Sequence, residues 1–172
     1  MASGDVVVMI NEVMPPSTSF PQFAIRIGAS SPAEQVPYWA FDAAADEYLD
    51  FYCRLQGYAG GGLTFTLTWM AATATTGGVL WALAIRREAD DAEDIDVAQT
   101  YDYNEVRDVA ASASGENSYF NITFTDGADM DTLANGEDFI LRLRRRGSDN
   151  TASTGDDMAG DAQFRALVGK ET

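Results

Sequence analysis

Histidine and cysteine, the residues that most often do chemistry in proteins, are almost missing from this 172-residue chain. It has no histidine and one cysteine, Cys53. Ser-His-Asp and Cys-His catalysis need an imidazole base, and histidine zinc sites need imidazole ligands, so their usual forms are excluded. Cys53 alternates with Leu49, Phe51 and Leu55, which predicts a small buried hydrophobe. We therefore expect a protein that is not an enzyme and holds no cofactor.

Carboxylates are the most abundant groups that could still act in catalysis. The chain has 27 acidic and 11 basic residues, and its formal net charge is −16. Glycosidases use two carboxylates across a cleft, but among so many acids some pair suits any spacing by chance. A hydrolase is therefore the weakest hypothesis. The acidity also disfavours nucleic acid and anionic membranes as partners, and no apolar run approaches the roughly 18 residues of a membrane span.

One acidic loop offers the best candidates for a metal site. Calcium prefers hard oxygen ligands, and five carboxylates follow each other closely here: Asp90, Asp91, Glu93, Asp94 and Asp96. Their spacing departs from the EF-hand loop, which needs a central glycine and a terminal glutamate. The alternative is a solvated acidic loop, and no metal is assigned beyond these weak calcium candidates.

A row of arginines is unusual in so acidic a protein. Arg142, Arg144 and Arg146 alternate with apolar residues, so they project from one face of a strand. They could pair with acids on a neighbouring strand of the same sheet. They could also meet acidic loops of another subunit, because arginine binds carboxylates through two parallel hydrogen bonds. On the second hypothesis the row is part of an oligomer interface.

Aromatic residues outside the apolar strand faces are the last candidates. Such residues bind sugars or anchor protein interfaces, and the alternative is that they are half-buried tyrosines of the fold. The candidates are Tyr48, Tyr52, Tyr58, Tyr101 and Tyr103.

The elements that must position these residues are short strands. Residues 63–70 and 79–87 alternate most clearly, and we predict them as a central pair joined by a turn over 75–78. Further strands are predicted at 23–27, 36–41, 48–55, 119–125, 139–146 and 162–168, while 97–103 and 106–113 could each be one. Eight to nine strands and no long helix predict an all-β, antiparallel, two-sheet sandwich that is jelly-roll-like.

The first residues differ from the predicted sandwich of residues 23–168. Residues 1–22 combine an apolar run with a proline-rich stretch, which predicts an extended N-terminal arm. The apolar run needs a place to be buried, on a neighbouring subunit or as an edge strand of the same domain. Its interface candidates are Val6, Val7, Val8, Met9 and Ile10. Residues 169–172 are predicted as a frayed C-terminal tail.

The order of motifs over residues 36–168 resembles β-sandwich structural proteins of tailed bacteriophages. The resembling segments are 39–42, 46–51, 57–64, 78–81, 131–138, 142–146 and 160–162. One sandwich with an arm looks most like a capsid decoration (cement) protein. The resemblance implies a homotrimer seated on the major capsid protein at the virion surface and folded in the host cytoplasm. It assigns no functional residue.

Two functional hypotheses follow from the sequence. The first is a non-enzymatic virion structural protein, a capsid decoration protein that stabilises the shell through subunit contacts. The second is a carbohydrate-binding β-sandwich module of a phage fibre or receptor-binding protein, for which the tyrosines would form the glycan platform.

Overall fold

The computed structural model describes residues 4–73 and 75–172, which form ten strands and one short 3₁₀ helix over Ala128–Met130. The strands are β1 (Val8–Met14), β2 (Gln22–Ile27), β3 (Gln35–Phe41), β4 (Asp46–Leu55), β5 (Leu63–Ala71), β6 (Gly78–Glu88), β7 (Asn104–Val109), β8 (Asn117–Phe124), β9 (Asp138–Arg146) and β10 (Ala162–Glu171). Within the described residues, no helix is long and apolar enough to cross a membrane.

The strands form two five-stranded sheets. The first sheet has the order β1-β4-β9-β6-β7, and the second has the order β2-β3-β10-β5-β8. Every strand pairing within the two sheets is antiparallel. The predicted all-β, antiparallel, jelly-roll-like sandwich is therefore confirmed. Its single core lies between the apolar faces of the two sheets.

Aromatic rings from both sheets meet at the centre of this core. Trp69 of β5 and Trp81 of β6 are fully buried, with ring centroids 6.0 Å apart. Phe41 packs edge-on against Trp81 at 5.2 Å, and Phe120 stacks on Trp81 at 6.1 Å. These contacts join β3, β5 and β8 of the second sheet to β6 of the first, so they hold the two sheets face to face.

Two predictions about the strands are wrong. β5 and β6 follow each other in sequence, but they belong to opposite sheets and face each other across the core. Each strand has one apolar face. Such a face is buried when two strands pack against each other across a core, and it is equally buried when they are neighbours in one sheet. Residues 97–103 form no strand; they belong to the connection between β6 and β7.

The ends of the chain belong to the sandwich. β1 pairs with β4 at the edge of the first sheet, while Val6 bridges Lys170 of β10 in the second sheet. Residues 8–14 are thus the edge strand that the sequence left open as the alternative to a free arm; residues 1–3 of the predicted arm lie outside the described residues. The predicted frayed tail is wrong, because residues 169–171 complete β10.

Gly169 shows how closely the two ends pack. A Cβ atom placed there would lie 2.5 Å from a methyl carbon of Val8 and 2.7 Å from the ring of Phe65. Only glycine leaves enough space for Val8 to enter the core at this point. Val7 and Val8 are accordingly buried in this chain's own core.

Arg145 of β9 is a charged residue on the inner face of the first sheet. It and Asp156 are both fully buried and joined by two hydrogen bonds, of 2.7 and 2.8 Å. The guanidinium also donates to the carbonyl oxygens of Phe41, Met158 and Gly160 at 2.9 to 3.1 Å. All five N–H donors of Arg145 are therefore used, and they connect β9 to β3 and to the segment before β10.

We expect Arg145→Met to lower the free energy of unfolding by about 3–5 kcal/mol, because it leaves the carboxylate of Asp156 buried without its cation. Urea unfolding followed by tryptophan fluorescence measures this change. Arg54→Met is the matched control, because Arg54 and Asp138 form a pair in which both side chains are about half exposed. We expect the control to cost less than about 1 kcal/mol. Equal losses in the two variants would contradict the role of the buried pair.

Candidate functional site

The outer face of the first sheet brings together most of the polar and aromatic candidates. The inner positions of β4, β6 and β9 are apolar, so the alternate residues point outward. The outward residues at the middle of the face are Tyr48, Asp50 and Tyr52 of β4, Ile140, Arg142 and Arg144 of β9, and Ala82, Ala84 and Arg86 of β6.

Small residues on β6 make room for the arginines of β9. In the strand register, Ala82 lies opposite Arg144, and Ala84 lies opposite Arg142. A methyl side chain covers little of the sheet, so long side chains from the neighbouring strand can lie across it. The alternation of alanine with large apolar residues along β6 is therefore part of how the site is built.

The connection over residues 89–103 lies on this face. The guanidinium carbon of Arg142 is 4.1 Å from the ring centre of Tyr101 and 5.9 Å from that of Tyr48. The guanidinium carbon of Arg144 is 4.1 Å from the ring centre of Tyr103. Each close cation–π contact is worth roughly 0.5–2 kcal/mol, depending on how far water is excluded. These contacts hold the C-terminal part of the connection against the sheet.

The arginine row pairs with carboxylates of the same chain. Arg142 donates two hydrogen bonds, of 2.6 and 2.7 Å, to the two carboxylate oxygens of Asp50 on β4. Arg144 and Arg146 each donate one bond of 2.8 Å to Glu105 on β7. The within-chain pairing that the sequence left open for the row is thus what the structure contains. Burial works to lower the pKa of Arg142, but the hydrogen bonds and charge of Asp50 outweigh it and raise that pKa.

A pocket of about 310 Å³ opens between the face and the connection. It combines aromatic rings, an ion pair and a further cation, and four aliphatic side chains complete it. The polar and aromatic lining residues are Asp50, Tyr52, Arg86, Gln99, Tyr101 and Arg142. Polar groups that converge beside aromatic rings in one concavity can orient a ligand. Such a site can stack a ring and hydrogen-bond its substituents.

The environments of two tyrosines on this face, Tyr52 and Tyr103, favour the neutral phenol. Burial raises the pKa of Tyr103 to about 12. Burial, with the negative charge of Asp50, also raises the pKa of Tyr52. A neutral phenol keeps its O–H donor and presents an uncharged ring to a ligand.

In the structure, the carboxylates of the calcium candidates do not converge on a common point. All five lie in the exposed connection, where Glu93 accepts a hydrogen bond from the Ala89 amide and Asp94 accepts one from the Asp96 amide. Among the described residues, no three carboxylate, cysteine or histidine side chains are placed to hold a metal ion. The five carboxylates form the solvated acidic loop that was the alternative.

Two other cavities carry weaker arrangements. A cleft of about 560 Å³ is lined by Arg54 and several carboxylates and has no aromatic residue in its lining. A pocket of about 380 Å³ contains Tyr58, but the hydroxyl of this tyrosine is already bound to Asp126 and to the Gly62 amide. Tyr58 therefore lies away from the other four tyrosines and is held in a structural role.

Among the described residues, two carboxyl groups have a raised pKa, which a hydrolase would require of its acid. Burial, with the charges of Asp42 and Asp161, raises the pKa of Glu47. Burial also raises the pKa of Asp108. Both groups accept structural hydrogen bonds at 2.7 Å, Glu47 from the Asp42 amide and Asp108 from the indole of Trp69. Neither lines the pocket on the outer face.

Two further arginines, Arg86 and Arg145, are not among the candidates taken from the sequence. Arg145 continues the alternation of the inward residues Phe139, Leu141 and Leu143, and this signal places it in the core. Arg86 continues the outward alternation of Ala82 and Ala84, which places it beside the arginine row. Both positions were readable from strand periodicity.

The apolar interface candidates divide into two groups. Val7 and Val8 are buried in the core, while Val6, Met9 and Ile10 are exposed. The first two are therefore used within the domain. Only the other three remain available to a partner.

We expect the stability of the protein to fall between pH 10 and pH 12 partly because of Tyr103, whose pKa is about 12 when folded and about 10 when unfolded. Over that range the unfolded chain releases the phenolic proton first, which favours unfolding. Tyr103→Phe should therefore lose less stability than the wild type between these pH values. Urea unfolding at several alkaline pH values measures this. Parallel losses in both proteins would contradict the burial of Tyr103.

Comparison with known proteins gives only distant structural similarity. No protein-family model matches the chain, and no curated protein matches it. One similar solved structure is TmCBM61 in complex with β-1,4-galactotriose, at 12% identity over 94% of this chain and 88% of that chain, with a TM-score of 0.40. Another is the carbohydrate-binding module TmCBM27, studied for specific mannan recognition, at 9% identity over 96% and 99%, with a TM-score of 0.38. At these TM-scores the similarity carries no argument about function.

Proposed function

We propose that this protein is a non-catalytic carbohydrate-binding module and that the outer face of the first sheet is its binding surface. The observation that carries the proposal is the pocket in which Tyr52 and Tyr101 flank the Asp50–Arg142 pair. A sugar ring has apolar C–H faces and a rim of hydroxyl groups. Tyrosine rings suit the faces, and fixed charged groups suit the hydroxyls.

The groups of this surface are fixed before a ligand arrives. Asp50 and Arg142 are held by two mutual hydrogen bonds, and Tyr101 is held over the guanidinium of Arg142. Side chains that are already ordered lose little further entropy on binding, which favours affinity for a weakly interacting ligand. The strands that carry this surface, β4, β9 and β6, are the three central strands of the first sheet.

We expect Tyr101→Ala to weaken binding of an oligosaccharide about tenfold, or about 1.4 kcal/mol, because it removes one ring of the pocket. A glycan array first identifies a ligand, and isothermal titration calorimetry then compares the variants. Tyr119→Ala is the matched control, because Tyr119 is 65% exposed and belongs to β8 of the opposite sheet. The proposal fails if a broad array yields no ligand, or if both variants bind like the wild type.

A capsid decoration protein is the second candidate, and one exposed edge favours it. Phe23, Ile25 and Ile27 of β2 are 58%, 49% and 67% exposed. They alternate with the half-buried Ala24 and Arg26 and lie at the edge of the second sheet. The surrounding residues 13–33 include no acidic residue, although the whole chain has 27. An apolar edge without negative charge is where copies of so acidic a protein would repel each other least.

On this candidate, the protein forms a homotrimer on the major capsid protein at the virion surface. Light scattering should then give three times the 18.6 kDa of the chain, and Ile25→Asp should shift the mass towards the monomer by charging the shared edge. Val109→Asp is the control, because Val109 is equally exposed on the distant edge strand β7. A monomeric wild type, or a trimer that survives Ile25→Asp, would count against this arrangement.

A further inference from the structure

Arg86 is a buried cation with incomplete partners. Its side chain is only 6% exposed, and its Nε–H has no hydrogen-bond partner. Its nearest carboxylate is Glu88, at 3.5 Å from the Nη2 atom, and none of its side-chain N–H groups makes a hydrogen bond in the described part of the chain. A buried guanidinium in this condition is costly, because its lost hydration is not replaced.

Other arginines of the fold donate at least one side-chain hydrogen bond. The Nε–H groups of Arg87 and Arg144 also lack hydrogen-bond partners among the described residues, but Arg87 donates through Nη1 to Thr132 and Arg144 through Nη2 to Glu105. Arg145 uses all five donors on Asp156 and three carbonyl oxygens. Arg142, beside Arg86 on the same face, donates two hydrogen bonds to Asp50 and lies over Tyr101. Arg86 differs because, within the described residues, its guanidinium forms only the 3.5 Å ion pair with Glu88 and donates no hydrogen bond.

The charges that line the pocket leave one cation in excess. Its ionisable lining residues are Asp50, Arg86, Arg142 and two tyrosines, and Asp50 is bound to Arg142. Arg86 is therefore a lining cation whose counter-charge, Glu88 at 3.5 Å, lies outside the pocket lining, in a protein with net charge −16. The overall charge repels an anionic ligand at long range, but at physiological ionic strength salt largely screens this repulsion at distances beyond about 8 Å. Only the pairing at close range then selects the ligand.

We propose that the pocket binds an acidic sugar residue, a uronic acid, whose carboxylate pairs with the guanidinium of Arg86. A carboxylate matches the planar guanidinium by parallel hydrogen bonds and would give the Nη groups of Arg86 the hydrogen-bonded partner that Glu88, at 3.5 Å, does not provide. The rings of Tyr52 and Tyr101 border the same pocket and would contact the sugar ring. A pocket of about 310 Å³ suits one or two sugar residues. This inference rests on the proposed carbohydrate-binding function.

The test compares acidic oligosaccharides with neutral forms of the same sugar and linkage. The probes are oligogalacturonates, oligomannuronates and oligoguluronates, each with its methyl ester, together with sulfated galactan oligosaccharides as a second source of anionic groups. Isothermal titration calorimetry with the wild-type protein should show at least one free acid binding ten or more times tighter than its ester. This comparison needs no variant and so does not depend on how a mutation affects folding.

Two variants then locate the charge recognition. Arg86→Met should abolish the preference for the acid, so that the acid and its ester bind with equal affinity. Glu88→Gln removes the competing carboxylate and should strengthen binding of the acid several-fold. Arg54→Met is the matched control, because Arg54 lies in a different cleft, and it should leave the preference unchanged.

Each outcome has a distinct meaning. Equal binding of acid and ester, or a preference that survives Arg86→Met, overturns the uronic acid assignment but leaves the carbohydrate-binding function in place. Preference for the sulfated probe alone overturns the carboxylate assignment in the same way. If no probe binds, neutral or acidic, the uronic acid assignment falls, and the proposed function falls with it only if the broad glycan array also yields no ligand.

Discussion

The buried pair of Arg145 and Asp156 is the interaction on which the rest of the structure depends. Arg145 extends from β9 at the middle of the first sheet, and its guanidinium binds the last residue of β3 in the second sheet. It also binds the carbonyl oxygens of the segment that leads into β10, while Asp156 accepts a further bond from the Leu80 amide of β6. Two ions in a core are stable only when every donor and acceptor is satisfied. The pair therefore holds β9 of the first sheet in a fixed position relative to β3 and to the segment before β10 of the second sheet.

The candidate site depends on the same strand, seen from its other face. β9 alternates an apolar inner row, ended by Arg145, with the outward row of Arg142, Arg144 and Arg146. Its register places Arg142 between Asp50 of β4 and Ala84 of β6, where it meets a carboxylate on one side and open space on the other. A slip by one residue would turn the outward row into the core. The core pairing and the binding surface are thus two consequences of one register.

The many carboxylates of the chain determine how the arginines of this surface are paired. Most cations are bound to nearby carboxylates, and the pairs of Arg142 and Arg144 orient tyrosines rather than attract anions. Arg86 differs because its nearest carboxylate, that of Glu88, lies 3.5 Å away and shares no hydrogen bond with it, while residues of the connection line the same pocket. A single cation without a full set of partners can select a ligand more sharply than many solvated ones, because burial strengthens its pairing.

The sequence by itself determined the fold class and the faces of the strands. Strand alternation predicted β4, β5, β6, β8 and β9 within one or two residues at each end, and it placed Trp69 and Trp81 in the core. It also identified the outward arginine row and four of the tyrosines that meet there. Period-two alternation is a local property, so the order of residues along one strand is enough to show it.

Only the tertiary structure decided which strands are neighbours and which side chains meet. β5 and β6 were predicted as a pair but lie in opposite sheets, and residues 97–103 were a candidate strand but belong to the connection that covers the arginines. Val7, Val8 and Glu171 were assigned to a free arm and a frayed tail, yet they are buried in the sandwich. The physical reason is that an apolar face on a strand shows that the face is buried, but it does not show which other strand packs against it. That choice depends on residues distant in sequence, such as Arg145 and Asp156.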